Sequence, residues 1–458
     1  MTVLLRKPRG QDTPLHLVTA QALATHLAAA PAATRRWLQD TRFDARPHSH
    51  ALIPREDGAL AAVWAGVAGA DDPWLLAALP FALPQGTYAL DPAGLTPDVE
   101  AAALSWALGG YRFDRYKAGA RAPATLSLPA SPQARRAQSV ASAVALARDL
   151  VNTPAEDLGP ADLAGAVRAV AKAHGAKVRE VVGDALLKKG FPTIHAVGRA
   201  AAQAPRLIEL NWGSPKHPLL TLVGKGVCFD SGGLDIKSAA GMQLMKKDMG
   251  GAANALALAS LVMARKLPVR LQLLIPAVEN AISGNAFRPG DVIRTRAGLT
   301  VEIGNTDAEG RLILCDALAY GAEHKPALMI DMATLTGAAR TALGPQLPAL
   351  FSRDLAQARE LVDLGLALQD PLWHMPLWAP YHADIEGQVS DIVNSGRSGM
   401  AGAVTAALFL QDFVPAGLPW LHIDLYAWNS VQRPGRPVGG EAQTVRTLLQ
   451  YLTQRFGA

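Results

Sequence analysis

Beyond residue 145 the chain alternates two patterns of apolar positions. Short, nearly continuous apolar runs predict strands at Arg206–Asn211, Pro218–Val223, Val269–Pro276, Ala327–Met332 and Trp420–Tyr426. Between and after them, apolar residues recur at helical spacing. This predicts helices at Ala161–His174, Gly251–Lys266, Glu309–Glu323, Asp354–Leu368, Gly402–Phe413 and Thr444–Phe456. Such alternation is the signature of an α/β sheet with helices packed on both faces. Up to about residue 120 the elements are shorter and Ala-rich, with helix-like stretches at Leu17–Ala29 and Asp98–Leu108. The segment Gly119–Gln133 carries three prolines among small residues and reads as a linker. A helix is expected at Arg135–Leu150, stopping at Asn152-Thr153-Pro154. The chain therefore divides into an N-terminal domain with its linker, residues 1–130, and a larger domain, residues 131–458.

Composition narrows the classes of function. Half of the 458 residues are hydrophobic and 18% are charged, so the chain can bury a large core and is not a disordered one. The formal charge of +5 is mild and spread along the chain, which disfavours a dedicated DNA-binding surface. Two cysteines, Cys228 and Cys315, are too few for a disulfide framework or a Cys-ligated zinc site. The opening MTVLLRKPRG has too short an apolar stretch for a signal peptide, and the longest apolar run, Ala59–Ala70, is too short to span a bilayer. A soluble cytoplasmic protein without membrane contact is the expectation.

Chemistry gathers in two places after strand-like runs, where active sites of such sheets lie. The first is GKGVCFDSGGLDIKSAAGMQLMKKDMGG, residues 224–251, with Lys225, Asp230, Lys237 and Asp248. It is no P-loop, because position 219 is Leu and position 226 is Gly, and no GxGxxG fingerprint starts there. The second is GNTDAEGR, residues 304–311, with Asp307, Glu309 and Arg311. Taken alone it reads as a helix start, with Asp307 as N-cap and Glu309 in the first turn. Taken together, the four carboxylates suit hard divalent cations, and a pair of ions about 3.5–4 Å apart needs bridging carboxylates. None of the 11 histidines forms an HExxH pattern. His195 and His374 are better explained as ordinary core or surface residues.

VGKGVCFDSGG with Lys237, then KKDMGGAAN and GNTDAEGRL, closely resembles the cytosol (leucyl) aminopeptidase family. RDLVNTPAEDLGP at 148–160, DMATLTGAA at 331–339 and GAVTAALFLQDFV at 402–414 extend the resemblance over roughly residues 145–458, while the first third matches only in place and size. Ser238 stands where the family usually has proline, and SGRSGMAG at 395–402 keeps the loop's glycine-rich character without its commonest wording. The resemblance implies a C-terminal catalytic domain with a mixed, mainly parallel central sheet flanked by helices, plus a smaller N-terminal α/β domain. It also implies a homohexamer.

By the same resemblance, Lys225, Asp230, Asp248, Asp307 and Glu309 hold two metals, Mn²⁺ or Zn²⁺ with Mg²⁺ or Co²⁺ as further options. Asp230 and Glu309 are the bridges, and Lys225 must bind as a neutral amine. Lys237 is assigned to the oxyanion, and Arg311 to a bicarbonate ion that relays a proton. Met245, Asn305, Thr334, Leu335 and Gly337 are assigned to the pocket for the first residue; for Met245, plain core packing is an equal alternative. The implied activity removes an apolar, Leu-like residue from peptides with a free N-terminus. Two alternatives remain at this point: another two-metal hydrolase such as a phosphoesterase, which the single nearby arginine and missing phosphate cradle disfavour, or an added DNA-binding role.

Overall fold

The computed structural model describes residues 2–457 and separates into two compact units. One runs to Ala145 and takes in Ser430–Val438; the other holds Leu146–Asn429 and resumes at Gly439. In the first unit, six strands lie in the order Val3–Leu5, Thr125–Leu128, Thr87–Leu90, Thr13–Val18, Leu60–Gly66, His50–Pro54, and only the last pair is antiparallel. Trp106 and Tyr88 are among the largest side chains buried beneath it. The helix Val99–Gly109 starts as its sequence predicts, with the Asp98 carboxylate accepting from the N–H groups of Glu100 and Ala101.

Two expectations for this region are corrected. Leu17 and Val18 belong to the strand Thr13–Val18, and the helix begins only at Leu23. The supposed linker contains the strand Thr125–Leu128, placed inside the sheet between two neighbours. Pro123 and Pro129 bracket that strand, so the prolines that suggested a linker mark its two ends.

The second unit is built on nine strands: β1 Lys177–Val182, β2 Arg206–Trp212, β3 Leu219–Gly224, β4 Gly226–Asp230, β5 Arg270–Asn280, β6 Leu328–Ala333, β7 Ala349–Ser352, β8 Trp373–His374 and β9 Trp420–Asp424. Their order is β8-β7-β9-β6-β3-β5-β2-β1, with β4 also on β5. The central pairs β9/β6, β6/β3 and β3/β5 are parallel, whereas β7/β9, β5/β2 and β2/β1 are antiparallel. The sheet is mixed and mainly parallel. β6 is buried throughout and β3 nearly so, which is why their sequences are continuous apolar runs without alternation. No helix is long and apolar enough to cross a membrane, among the described residues.

The helix Gly250–Ala264 is buried on nearly every side, and it approaches the central strands at van der Waals limits. A Cβ on Gly251 would lie 2.1 Å from the Met332 carbonyl oxygen and 2.8 Å from Ala333 Cα. A Cβ on Gly224, at the end of β3, would lie 2.6 Å from Ala252 Cα. Backbone is met in each case, so no side chain can swing aside. Gly251→Ala, which in an open helix would stabilise by up to about 1 kcal/mol, is expected instead to cost about 1–3 kcal/mol through overpacking. Denaturant unfolding checks this; a more stable variant would show that the helix can slide away from β6.

Candidate metal centre

The parallel strands bring three loops to one end of the sheet. β3 leads directly into Lys225, and β4 ends at Asp230. The following turn doubles back, with Lys237 N donating to the Ser231 carbonyl at 3.0 Å. Gly232 sits at φ +88°, and a Cβ there would meet Asp235 O at 2.5 Å and Asp307 Oδ1 at 3.2 Å, so the turn closes only around a glycine. Lys237 Nζ thereby returns to within 2.8 Å of Asp230 Oδ2 and also pairs with Asp307. Ser238, in place of the usual proline, caps the short helix Ala239–Met242 by accepting from Gly241 N at 3.2 Å.

Asp248 lies in the 3₁₀ turn Met245–Met249 that enters the buried helix, and Thr334 Oγ1 donates to its Oδ1 at 2.9 Å. Lys225 Nζ stands 2.8 Å from Asp248 Oδ2 and 3.0 Å from Glu309 Oε1, and donates to the Thr334 carbonyl at 2.9 Å. Asp307 is not the N-cap that the loop, taken alone, suggests. The cap position of the helix Glu309–Glu323 is Ala308, with no side-chain cap, and the Asp307 carboxylate faces Lys237.

Burial and mutual repulsion set the electrostatics. Burial works against the Lys225 ammonium, yet Asp248, Glu309 and Asp230 outweigh it and hold its pKa above the usual lysine range. Lys237 is raised in the same way, chiefly by Asp230 against the burial penalty. Glu309 is pushed well above the ordinary carboxylate range by burial and by Asp230. Asp307 is pushed up to about 6 for the same two reasons, moderated by Lys237. Carboxylate oxygens of Asp230, Asp307 and Glu309 all lie within 4.8 Å of one another. Glu309 Oε2 is buried without a hydrogen-bond partner, an arrangement that costs about 1–3 kcal/mol. Converging anionic oxygens, one of them lacking any donor, fit a hard divalent cation.

The cluster forms one wall of a cavity of about 500 Å³. Met245, Thr334, Leu335 and Gly337 line it; Asn305, assigned to the same pocket from the resemblance, does not, nor does Arg311. Asn305 acts on the loop instead, its Oδ1 accepting from Asp307 N at 2.7 Å. Arg311 is buried with an unpartnered Nε, and burial pushes its pKa down to about 10 against Glu309 and Asp424. Sequence reasoning missed Lys247, Arg340, Asp424 and Tyr426, which also line the cavity. Lys247 Nζ and the Arg340 guanidinium lie 4.8 and 4.9 Å from the centroid of the Tyr426 ring. Asp424 accepts from Leu335 N, Thr336 N and Thr336 Oγ1 and so fixes the loop after β6. The doubled lysine of KKDMGG was the one available signal for Lys247; nothing local marked Tyr426. His195 pairs with Asp184, and no histidine lines the cavity among the described residues. Cys228, inside the motif, is a buried free thiol whose pKa burial raises.

Comparison with known proteins agrees with this geometry. The family model "Cytosol aminopeptidase family, catalytic domain" matches residues 145–449, and "M17 aminopeptidase, N-terminal domain" matches residues 13–129, where the sequence had offered no motif. A probable cytosol aminopeptidase of Syntrophotalea carbinolica is 41% identical over 383 residues, 79% of this chain and 77% of that protein. The crystal structure of the cytosol aminopeptidase from Coxiella burnetii is 47% identical, with a TM-score of 0.95 over 99% of both chains. The bottromycin maturation enzyme BotP, solved in complex with Mn, is 35% identical, with a TM-score of 0.86 over 97% of this chain and 99% of its own. The chain therefore belongs to the cytosol aminopeptidase family, as a metal-dependent aminopeptidase.

Proposed function

We propose that the protein removes a Leu-like first residue from peptides with a free N-terminus, using two divalent cations held by Lys225, Asp230, Asp248, Asp307 and Glu309. The observation that carries this reading is the convergence of four carboxylates and two lysines on one cavity wall, with Glu309 Oε2 buried and lacking a donor. Asp230 and Glu309 would serve both positions, Asp307 one of them, and Lys225 with Asp248 the other. Such ions, when bound, polarise the scissile carbonyl and lower the pKa of a shared water. Mn²⁺ or Zn²⁺ is the proposed pair, with Mg²⁺ and Co²⁺ as substitutes; the Mn complex of BotP supports the first. Lys225 is an ammonium while three carboxylates surround it, and a divalent charge on those carboxylates removes the support for its proton.

The chain's own groups supply the remaining roles. Lys237, kept cationic by Asp230, faces the oxyanion that develops on the substrate. Asp248 orients the free α-amine, which restricts cleavage to the first residue. Met245, Thr334, Leu335 and Gly337 receive its side chain, and Asn305 contributes through the Asp307 loop. Arg311, buried beside Glu309 with an unpartnered Nε, would hold a bicarbonate ion, which would supply a general base. The division at residue 130 into an N-terminal domain and a catalytic domain, a homohexameric assembly and a cytoplasmic location complete the proposal, on the likeness to the family.

Three outcomes test it. Leu-anilide is cleaved while N-acetyl-Leu-anilide is not; equal rates on both would sink the role of the free amine. Lys237→Ala keeps both metals by elemental analysis while turnover falls about 10²–10³-fold, the scale of losing one oxyanion donor; loss of the metals would make Lys237 structural. In protein stripped of metal, Lys225→Met strands Asp248 and Glu309 as buried, unpaired carboxylates, at a cost of about 3–5 kcal/mol in chemical unfolding. Unchanged stability would mean that those carboxylates do not depend on Lys225.

A further inference from the structure

We infer that Asn394 is the positioning residue of the proposed metal centre: its side-chain amide clamps the loop 304–308 from outside, leaving the Asp307 carboxylate free of capping duty. Asn394 directly follows the two-residue strand Ile392–Val393, which pairs in parallel with Thr300–Glu302 in the register Val301↔Ile392 and Glu302↔Val393. Its own N–H continues the ladder, donating to the Glu302 carbonyl at 3.0 Å. The side chain is fully buried against the loop that follows Glu302. Oδ1 accepts from Gly304 N at 2.8 Å and Asn305 N at 3.1 Å, and Nδ2 donates to Asn305 O at 2.7 Å and Ala308 O at 3.3 Å. Two donors meet two carbonyls, and one oxygen meets two N–H groups, so every hydrogen-bonding direction of the amide is used. No other residue type of this size offers donors and acceptors in that arrangement.

The consequence lies in what Asp307 does not do. A helix start beginning with Asp commonly spends the carboxylate on its first N–H groups. Here the helix Glu309–Glu323 has Ala308 at the cap position without a side-chain cap, and Asp307 N is held by Asn305 Oδ1. With the loop fixed by Asn394, the Asp307 carboxylate turns to Lys237. From the other side, Asn280 Nδ2 donates both to Asp230 Oδ1 at 2.9 Å and to Thr306 O at 3.1 Å, tying the Asp230 loop to the same segment. The spacing between Asp230, Asp307 and Glu309 is thus set by amides that touch no metal position. Removing such outer partners typically weakens metal binding about 10- to 100-fold.

This inference rests on the metal reading proposed above, and titration with Mn²⁺ separates the two. Asn394→Asp keeps the size and the acceptor side but sets an oxygen against the carbonyls of Asn305 and Ala308. Asn394→Ser, with a smaller hydroxyl, keeps the test decidable if the aspartate variant fails to fold. Ile392→Val, a buried change in the same strand, is the control for lost stability alone. The expected result is Mn²⁺ affinity lowered about 10- to 100-fold in the Asn394 variants, with kcat/KM falling at limiting Mn²⁺ and recovering as Mn²⁺ is raised. Ile392→Val is expected to shift the melting temperature and leave Mn²⁺ affinity unchanged. Asn394 variants that bind Mn²⁺ as tightly as the unmodified protein, whatever their melting temperature, overturn the inference. An unmodified protein that binds none of Mn²⁺, Zn²⁺, Mg²⁺ and Co²⁺ overturns the metal reading itself.

Discussion

Like charges buried at short range repel strongly, because little water remains to screen them. Asp230, Asp248 and Glu309 are buried in this way, with the Asp307 side chain, 32% exposed, beside them. The crowd is tolerable only because cations are interleaved with it. Lys225 sits between Asp248 and Glu309, and Lys237 sits between Asp230 and Asp307. Even so, the balance is incomplete, with Glu309 Oε2 left without a donor. That residual demand for positive charge is the physical basis for assigning cations to the site, and the surrounding structure is arranged to keep it from relaxing.

Rigidity comes from close backbone approach at one end of a parallel sheet. Gly224 and Gly251 let a largely buried helix lie against β3 and β6, which fixes Asp248 relative to Lys225 and Thr334. Gly310 extends the same economy of space: a Cβ there would stand 2.5 Å from Lys225 Cε. Gly232 closes the turn that returns Lys237 to Asp230. Buried amides then lock the loops that carry the acids, Asn280 from within and Asn394 from without. A site under this much electrostatic stress needs such over-determination, since a movable loop would carry its carboxylate away into water.

Much of this was legible in the chain. The alternating runs marked the central strands β2, β3, β5, β6 and β9 within a few residues, and the helix Glu309–Glu323 at its observed limits. Those elements are long, and a parallel sheet covered on both faces writes itself as uninterrupted apolar sequence. β7 and β8 were not legible, being four and two residues long, and β4 follows β3 after the single residue Lys225. β1 reads KVREVV and is largely exposed, so its polar content hides it. Thr125–Leu128 was masked by its bracketing prolines, and Leu17–Val18 by the Ala- and Leu-rich stretch that follows, broken only by Thr19 and Gln21 before the helix at Leu23.

The residue types by themselves pointed to hard cations, through four carboxylates on two loops with no histidine or cysteine pattern to compete, and the resemblance of the motifs supplied the roles of the lysines. Tertiary structure decided which groups share the site. Read alone, the loop made Asp307 a helix cap, because capping is what an aspartate does when only its neighbours are considered; in the fold its carboxylate pairs with Lys237, 70 residues upstream, while Asn394 bonds the residues on either side of it. The resemblance assigned Asn305 to the pocket, which it does not line, and gave no sign of Lys247, Arg340 and Tyr426, because side-chain direction depends on how a loop packs against distant strands. Composition tells what the groups can do, and only long-range packing sets the distances and burial that decide what they do here.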